Sequence, residues 1–297
     1  MTTTPTHEPV MVAETLSLLA PSRGGLFVDC TVGLGGHARA LLEGGASRLL
    51  GLDRDPDALA LAAVALAPWT DRVELVHSDY RQLDRVLEAR GLSGADGILA
   101  DLGVSSMQFD ADGRGFSFRR DEPLDMRMDR SQGPTAADLL AGVGEGDLAN
   151  VIFQYGEERF SRRIARAIVS TRQADPIVTT GQLAQIVRRA VPRKGYQRID
   201  PATRTFQALR IRVNRELDGL DTFLADAARL LLAGARLAVI TFHSLEDRIV
   251  KHAFRALATG ESALCVLTRK PLVPRDDEVA RNPRARSAKL RAIERLA

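Results

Sequence analysis

The stretch that decides the fold is Leu26-Phe27-Val28-Asp29-Cys30-Thr31-Val32-Gly33-Leu34-Gly35-Gly36-His37-Ala38. An apolar run ends at a carboxylate, and a glycine-rich turn leads into the helix-forming Ala38-Arg39-Ala40-Leu41-Leu42. Strand, tight loop and helix N-terminus in that order are how open α/β sheets hold a nucleoside-bearing ligand. Glycine at 33, 35 and 36 lets the backbone take positive φ and come close to such a ligand.

Two ligands compete for the loop. Gly33-x-Gly35-x-x-Ala38 satisfies the dinucleotide pattern, and Asp53 follows about 20 residues on, as a ribose-binding acid should. That evidence alone suits a nicotinamide dehydrogenase. Four successive apolar runs, however, end in acids: Asp29, Asp53, Asp79 and Asp101. In a parallel sheet those ends share one edge, and a pyrophosphate there meets uncompensated negative charge. Like charges about 4 Å apart repel by ~1 to 4 kcal/mol, depending on the local dielectric. A ligand carrying a sulfonium and an ammonium is attracted instead. The cofactor expected is S-adenosylmethionine, with Asp53 on its ribose.

Outward from the loop, strands and helices alternate. Strands are expected at 26–29, 48–53, 73–77 and 97–101, and helices at 37–44, 56–67 and 81–90. A short amphipathic helix over 9–20 caps the sheet, and Asp55-Pro56 is a sound helix start. Such alternation means a doubly wound parallel sheet, a Rossmann-like α/β fold.

After Asp101 the rhythm breaks. Leu102 to Asp129 is too polar and glycine-rich for a core element and too long for an idle loop. Within it, Arg114-Gly115-Phe116-Ser117-Phe118-Arg119-Arg120 sets arginine beside phenylalanine, a pairing that stacks and clamps single-stranded bases and phosphates. The same phenylalanines could equally pin the loop to the protein. Residues 134–195 read as helices without strands, one running from Tyr155 through Ile168 and another beginning at Thr180. One long helix is then expected from Phe206 to Leu231, its apolar stripe (Leu209, Val213, Leu217, Leu220, Leu224, Ala227) packed on the sheet. A strand at 236–242 ends at His243-Ser244-Leu245-Glu246-Asp247, where serine and acids open another helix. Two further strands are expected at 264–268 and 288–293.

Composition narrows the class. The chain has 297 residues, 45% hydrophobic and 27% charged, as in ordinary globular proteins. Two cysteines make no disulfide framework, and the N-terminus has neither the basic nor the apolar region of an export signal. The expected compartment is the cytoplasm. The net charge of +3 is unevenly spread. Residues 1–106 carry 8 Lys+Arg against 14 Asp+Glu, while 107–215 carry 19 against 13. That asymmetry suits a polyanionic substrate, although arginine-rich solvated helix faces would also produce it. The five histidines lack metal-ligand spacing, so no metal is expected. A phosphate-binding P-loop and a serine-hydrolase elbow are likewise missing from the sequence.

The Asp101-Leu102-Gly103-Val104-Ser105-Ser106 stretch is the candidate for chemistry. Methylating an exocyclic amine needs its lone pair in line with the sulfonium and an acceptor for the N–H proton. Asp101 is either that acceptor or another cofactor contact. His37 either touches the cofactor or caps its helix.

The motifs together resemble the RsmH (MraW) family of bacterial methyltransferases. They are Asp29-x-Thr-x-Gly-x-Gly-Gly-His37, Asp53-Arg54-Asp55, Asp101-Leu-Gly-Val-Ser-Ser106, Arg114-Gly-Phe-Ser-Phe118, Leu124-Asp-Met-Arg-Met-Asp129, Tyr155-Gly-Glu-Glu-Arg159, Ala202-Thr-Arg-Thr-Phe-Gln207, Phe242-His-Ser-Leu-Glu-Asp-Arg248 and Asn282-Pro-Arg-Ala-Arg286. The resemblance spans nearly the whole chain. It implies methyl transfer from S-adenosylmethionine to the exocyclic N4 of a cytosine in the decoding centre of small-subunit (16S) ribosomal RNA. It also implies cofactor contacts at Gly35, Gly36, His37, Asp53, Tyr80, Asp101 and Gln108, Tyr80 standing where relatives have phenylalanine. The target cytosine is expected out of its stack. The expected organisation is a cofactor-binding core of residues 1–106 and 213–297, with an inserted, mainly helical substrate-binding domain at 107–212. The expected partner is 16S ribosomal RNA, met within the small subunit, and a homodimer is compatible with the reading. A nicotinamide dehydrogenase and a non-catalytic RNA-binding protein on the same fold remain as alternatives.

Overall fold

The computed structural model describes residues 9–105, 108–109, 111–192, 199–260 and 263–297. The chain divides into two compact units, Met1–Gly103 with Gly219–Ala297, and Val104–Asp218. The inserted unit thus begins a few residues before position 107 and ends a few after 212. The basic Arg193-to-Arg198 run that closes it in sequence lies outside the described residues.

In the first unit the alternation predicted from sequence is present. It runs α1 (Val12–Leu19), β1 (Leu26–Asp29), α2 (Gly36–Glu43), β2 (Arg48–Asp53), α3 (Pro56–Ala65), β3 (Val73–His77), α4 (Leu83–Glu88) and β4 (Ala95–Asp101). Asp55 caps α3 as expected, its carboxylate accepting from the Asp57 amide at 3.0 Å. Among the described residues, seven strands form one sheet in the order β3-β2-β1-β4-β5-β7-β6, with β5 at Leu231–Thr241, β6 at Leu264–Val266 and β7 at Lys289–Arg295. The first five strands pair in parallel, and β7 runs antiparallel to β5 and β6. Reversal of direction outward from β1 makes a doubly wound sheet with a switch point between β1 and β4.

Period-two alternation sorts the strand side chains between two faces. Val28, Leu50, Leu52, Ile98, Leu237 and Val239 join one apolar cluster with Leu83 and Leu87 of α4. Phe27, Leu49, Leu99, Ala238 and Ile240 join another with Leu41 and Leu42 of α2 and Leu19 of α1. Both faces are covered, which is why these strands read as nearly continuous apolar runs.

The inserted unit is helical: α5 (Ala136–Gly142), α6 (Glu145–Gly156), α7 (Ser161–Ala174), α8 (Thr180–Ala190) and α9 (Ala202–Asn214). Capping boxes at Thr135/Asp138 and Thr179/Gln182 open α5 and α8. Two expectations fail here. The helix expected to run from Tyr155 through Ile168 is broken, because Glu157 adopts a left-handed conformation (φ 49°) and ends α6. The long helix from Phe206 to Leu231 is two helices. Arg215 turns left-handed at φ 53°, its amide closes α9 on the Ile211 carbonyl, and α10 (Leu220–Arg229) starts afresh after Gly219. The stripe is shared accordingly. Phe206 and Leu209 lie in the core of the inserted unit, while Leu220, Leu224 and Ala227 lie on the sheet.

The arginine and phenylalanine pair is also resolved. Phe116 is buried, Phe118 packs edge-on against Phe206 at 4.8 Å, and the buried Arg114 donates to the Met128 carbonyl at 2.9 Å. These three hold the loop onto its own unit rather than presenting it as a base clamp.

The candidate active site

The ends of β1, β2 and β4 and the loop after β1 form one continuous hydrogen-bonded edge. The Val32 amide donates to the Leu52 carbonyl at 2.8 Å, and the Cys30 amide to Leu99 at 2.8 Å. The loop is thereby tied to both neighbouring strands. Thr31 accepts the Asp101 amide on its hydroxyl at 2.7 Å, a link that no sequence pattern announced. Gly33 (φ 50°) and Gly35 (φ 82°) are left-handed, a conformation that a Cβ would strain, and Gly35 caps α2. Gly36 is small for a different reason. A Cβ there would lie 2.9 Å from Cγ of Pro9, so the space is taken by the protein's own chain.

The four strand-end acids are not equivalent. Asp79, two residues beyond β3, is already neutralised: Arg81 Nε donates to it at 2.8 Å and Arg54 lies 3.9 Å away. Burial works to raise its carboxyl, but the side chain and amide of Arg81 outweigh it and hold the group below its ordinary range. The expected repulsion among four acids is therefore a repulsion among three.

Asp53 is partly exposed and accepts two backbone amides, from Gly33 at 2.8 Å and Asp55 at 2.9 Å. Burial, offset by those two bonds and reinforced by Asp55, brings its carboxyl up to about 6. Each carboxylate oxygen can accept a second bond, which leaves capacity for a diol. Asp29 is buried, with Oδ1 accepting from the Thr31 amide at 3.1 Å and Oδ2 without a hydrogen-bond partner. Burial first, with the charge of Asp53 added, pushes it up to about 7 despite the Thr31 bond. Asp101 likewise has a buried Oδ1 without a hydrogen-bond partner. Burial, then the charges of Asp29 and Glu246, push its carboxyl well above the usual range.

Glu246 is the residue that sequence reasoning missed. It reads as an ordinary first-turn acid of α11 (Ser244–Gly260), yet it is 1% exposed. Its Oε2 accepts the Phe242 amide at 3.0 Å, and His243 Nε2 lies 3.1 Å from its Oε1. Leu102 donates to the Ile240 carbonyl at 3.0 Å, which sets the segment after β4 beside the end of β5. The juxtaposition depends on the β4–β5 pairing across more than a hundred residues, so nothing local could disclose it.

His37 is buried at the start of α2, with Nε2 2.9 Å from the Val10 carbonyl and Nδ1 3.7 Å from Asp101 Oδ2. Its first role is to anchor the chain before α1. Tyr80 is partly buried, with its ring 4.6 Å from that of Phe223 and Arg81 5.6 Å over it. Gln108 belongs to the inserted unit, where it is buried and accepts the Ser105 amide at 3.0 Å on its carboxamide oxygen.

Two buried carboxylate oxygens without partners, on carboxyls raised in pKa, mark an edge short of positive charge. A pyrophosphate would deepen that deficit and a cationic ligand would relieve it. A family model described as the MraW methylase family matches residues 4–296. The chain belongs to this family. It is a methyltransferase, and S-adenosylmethionine, whose sulfonium and ammonium suit these raised carboxyls, is its cofactor. The dehydrogenase alternative falls with that membership. Curated relatives agree along the whole length of this methylase. "Ribosomal RNA small subunit methyltransferase H" of Geotalea uraniireducens is 49% identical, covering 98% of this chain and 98% of the relative. The protein of the same name from Sorangium cellulosum is 51% identical, covering 98% and 91%, and that from Bradyrhizobium diazoefficiens is 51% identical, covering 97% and 91%. Among the described residues no helix is long and apolar enough to cross a membrane.

Proposed function

We propose that this methylase transfers a methyl group from S-adenosylmethionine to the exocyclic N4 of one cytosine in the decoding centre of 16S ribosomal RNA. The observation that carries the proposal is the pair of carboxylates at the ends of β1 and β4, each with one buried oxygen lacking a hydrogen-bond partner, in a chain about half identical to small-subunit ribosomal RNA methyltransferases. When bound, the cofactor supplies an electrophilic methyl group on a sulfonium.

The protein's own groups do the rest. Asp53 holds the ribose diol, the backbone of Gly35 and Gly36 faces the cofactor, and Tyr80 offers an aromatic face to the adenine. His37 and Gln108 complete the set of expected contacts. Asp29 and Asp101 supply the negative charge that the cationic cofactor needs. Asp101 is assigned the chemical role: its ionised carboxylate accepts an N–H proton as the amine becomes methylated. A carboxyl with a raised pKa is the stronger base once ionised. The unit Met1–Gly103 with Gly219–Ala297 is the cofactor-binding core, and Val104–Asp218 is the substrate-binding insertion. The RNA is taken within the small ribosomal subunit, in the cytoplasm, with a homodimer as the oligomeric state to test.

The decisive assay incubates purified protein and S-adenosylmethionine with free 16S RNA and, separately, with small subunits, then digests the RNA for nucleoside mass spectrometry. N4-methylcytidine from either substrate supports the reading, and a methyl group on a different atom, or no methylation at all, refutes it. Calorimetric titration with S-adenosylmethionine and with NAD should show binding of the first alone.

A further inference from the structure

Facing residues of α7 and α8 border an open depression of about 400 Å³ within the inserted unit, lined by Arg163, Arg188, Arg189, Val191 and Pro192. Helical periodicity explains how the arginines converge. Ile164, Ala165 and Ile168 of α7 and Leu183, Ala184 and Val187 of α8 turn into the core, which leaves Arg163 and Arg189 exposed above it. Arg188 is fixed at the wall: its Nε and a terminal nitrogen reach Asp200 at 2.9 and 2.8 Å, and its guanidinium lies 5.5 Å over the Phe118 ring.

The other two arginines have no acidic partner among the described residues. Arg166, on the same helix, has Glu145 at 3.5 Å, but among the described residues no carboxylate pairs with Arg163 or Arg189. Arg189 sits in the last turn of α8, where a cation suits the helix dipole. Arg163 does not have that excuse. It lies in the first turn of α7, which holds no acid, so its charge adds to the positive end of a helix of 14 residues. Such a placement disfavours the free protein and favours a bound anion. Val191 and Pro192 give the depression an apolar side that a lone anion would not need.

We propose that this depression docks phosphodiester groups of the RNA substrate's backbone, with Arg163 and Arg189 as the phosphate ligands and Arg188 as their fixed support. The inference rests on the ribosomal RNA reading above and assigns that substrate a place on the inserted unit. Guanidinium groups suit it because they bond phosphate oxygens in pairs. Contacts of this kind position the RNA without reading its sequence.

The test measures binding of 16S RNA over a range of salt concentrations for the native protein, for the double variant Arg163→Gln/Arg189→Gln, and for Arg162→Gln. Arg162 is exposed in the same turn of α7 but does not line the depression. The double variant should bind roughly tenfold or more weakly at physiological salt. Its log–log salt slope should flatten by about 1 for each arginine removed. Arg162→Gln should change the slope far less. S-adenosylmethionine affinity, read by calorimetry, should be the same in all three, and matching circular dichroism spectra and melting temperatures report that the variants are folded. An unchanged slope in the double variant, or an equal loss in Arg162→Gln, overturns the docking site. If an acidic ribosomal protein, and not RNA, loses affinity for the double variant, the depression belongs to that partner and the proposal is wrong. Native protein that neither binds nor methylates small-subunit RNA refutes the substrate reading itself, and the docking site with it.

Discussion

The two units of this methylase place their polar groups by opposite means. In the sheet unit, carboxylates stand at strand ends and are held by backbone amides, from Thr31 to Asp29 and from Gly33 and Asp55 to Asp53. In the inserted unit, arginines stand on helix surfaces, and local carboxylates such as Asp200 and Glu145 neutralise only some of them. The first arrangement buries charge and raises the carboxyls of Asp29, Asp53 and Asp101; the second keeps most of its arginines at the surface. One unit is thus suited to a small cation held in a fixed pose. The other is suited to a long anion held by many weak, salt-sensitive contacts.

The sharpest way to break that comparison is at Asp101. Asp101→Asn should lower turnover by ~100-fold or more, in the range of a lost general base, while cofactor affinity falls much less. Calorimetry alongside single-turnover methylation separates the two, and equal losses would demote Asp101 to a cofactor contact. Next in size is Asp53→Ala, which removes charged hydrogen bonds worth about 1.5–3 kcal/mol each. Its dissociation constant for S-adenosylmethionine should rise by roughly tenfold or more, and an unchanged value would dismiss the ribose role.

A smaller effect follows from the raised carboxyls. A cationic ligand favours ionised Asp29 and Asp53, which titrate near 7 and 6 in the free protein. Cofactor affinity should therefore fall as pH drops from 8 to 6, by at most about tenfold per unit for each proton taken up. Asp29→Asn should flatten that slope. Stability of the free protein has the opposite sign. A carboxyl raised on folding contributes stability that is present at low pH and lost as pH rises through about 7, so the free protein should melt lower at pH 8 than at pH 6 from this source.

The smallest effect concerns the break after α9. Arg215→Gly relieves a left-handed non-glycine residue and gives up the exposed ion pairing with Asp218 at 2.7 Å. The backbone gain of about 1 kcal/mol exceeds the ~0–0.5 kcal/mol of such a pair. The melting temperature should rise by a few degrees, and a fall would mean that the ion pair dominates.

Comparison of sequence with structure shows why some features were legible and others were not. The strand ends at Asp29, Asp53 and Asp101 were readable because apolar runs, glycines and helix starts are local, and the parallel-sheet rule converts their order into a shared edge. The helix breaks at Glu157 and Arg215 were not readable, because neither residue is a glycine or proline and the apolar stripe continues across both sites. The neutralised state of Asp79 was hidden for a similar reason: Arg81 is two residues away, but its orientation had to be seen.

What the sequence determined by itself is the doubly wound core, the acid-tipped edge and the family, since each rests on short-range pattern and residue order. What only the tertiary structure decided is which acids remain without partners, that Glu246 presses on Asp101, that Phe116 and Phe118 are structural, and that three arginines meet in one depression. These depend on side chains brought together from distant parts of the chain within each unit. Burial and partnership are properties of such encounters, and no linear spacing specifies them.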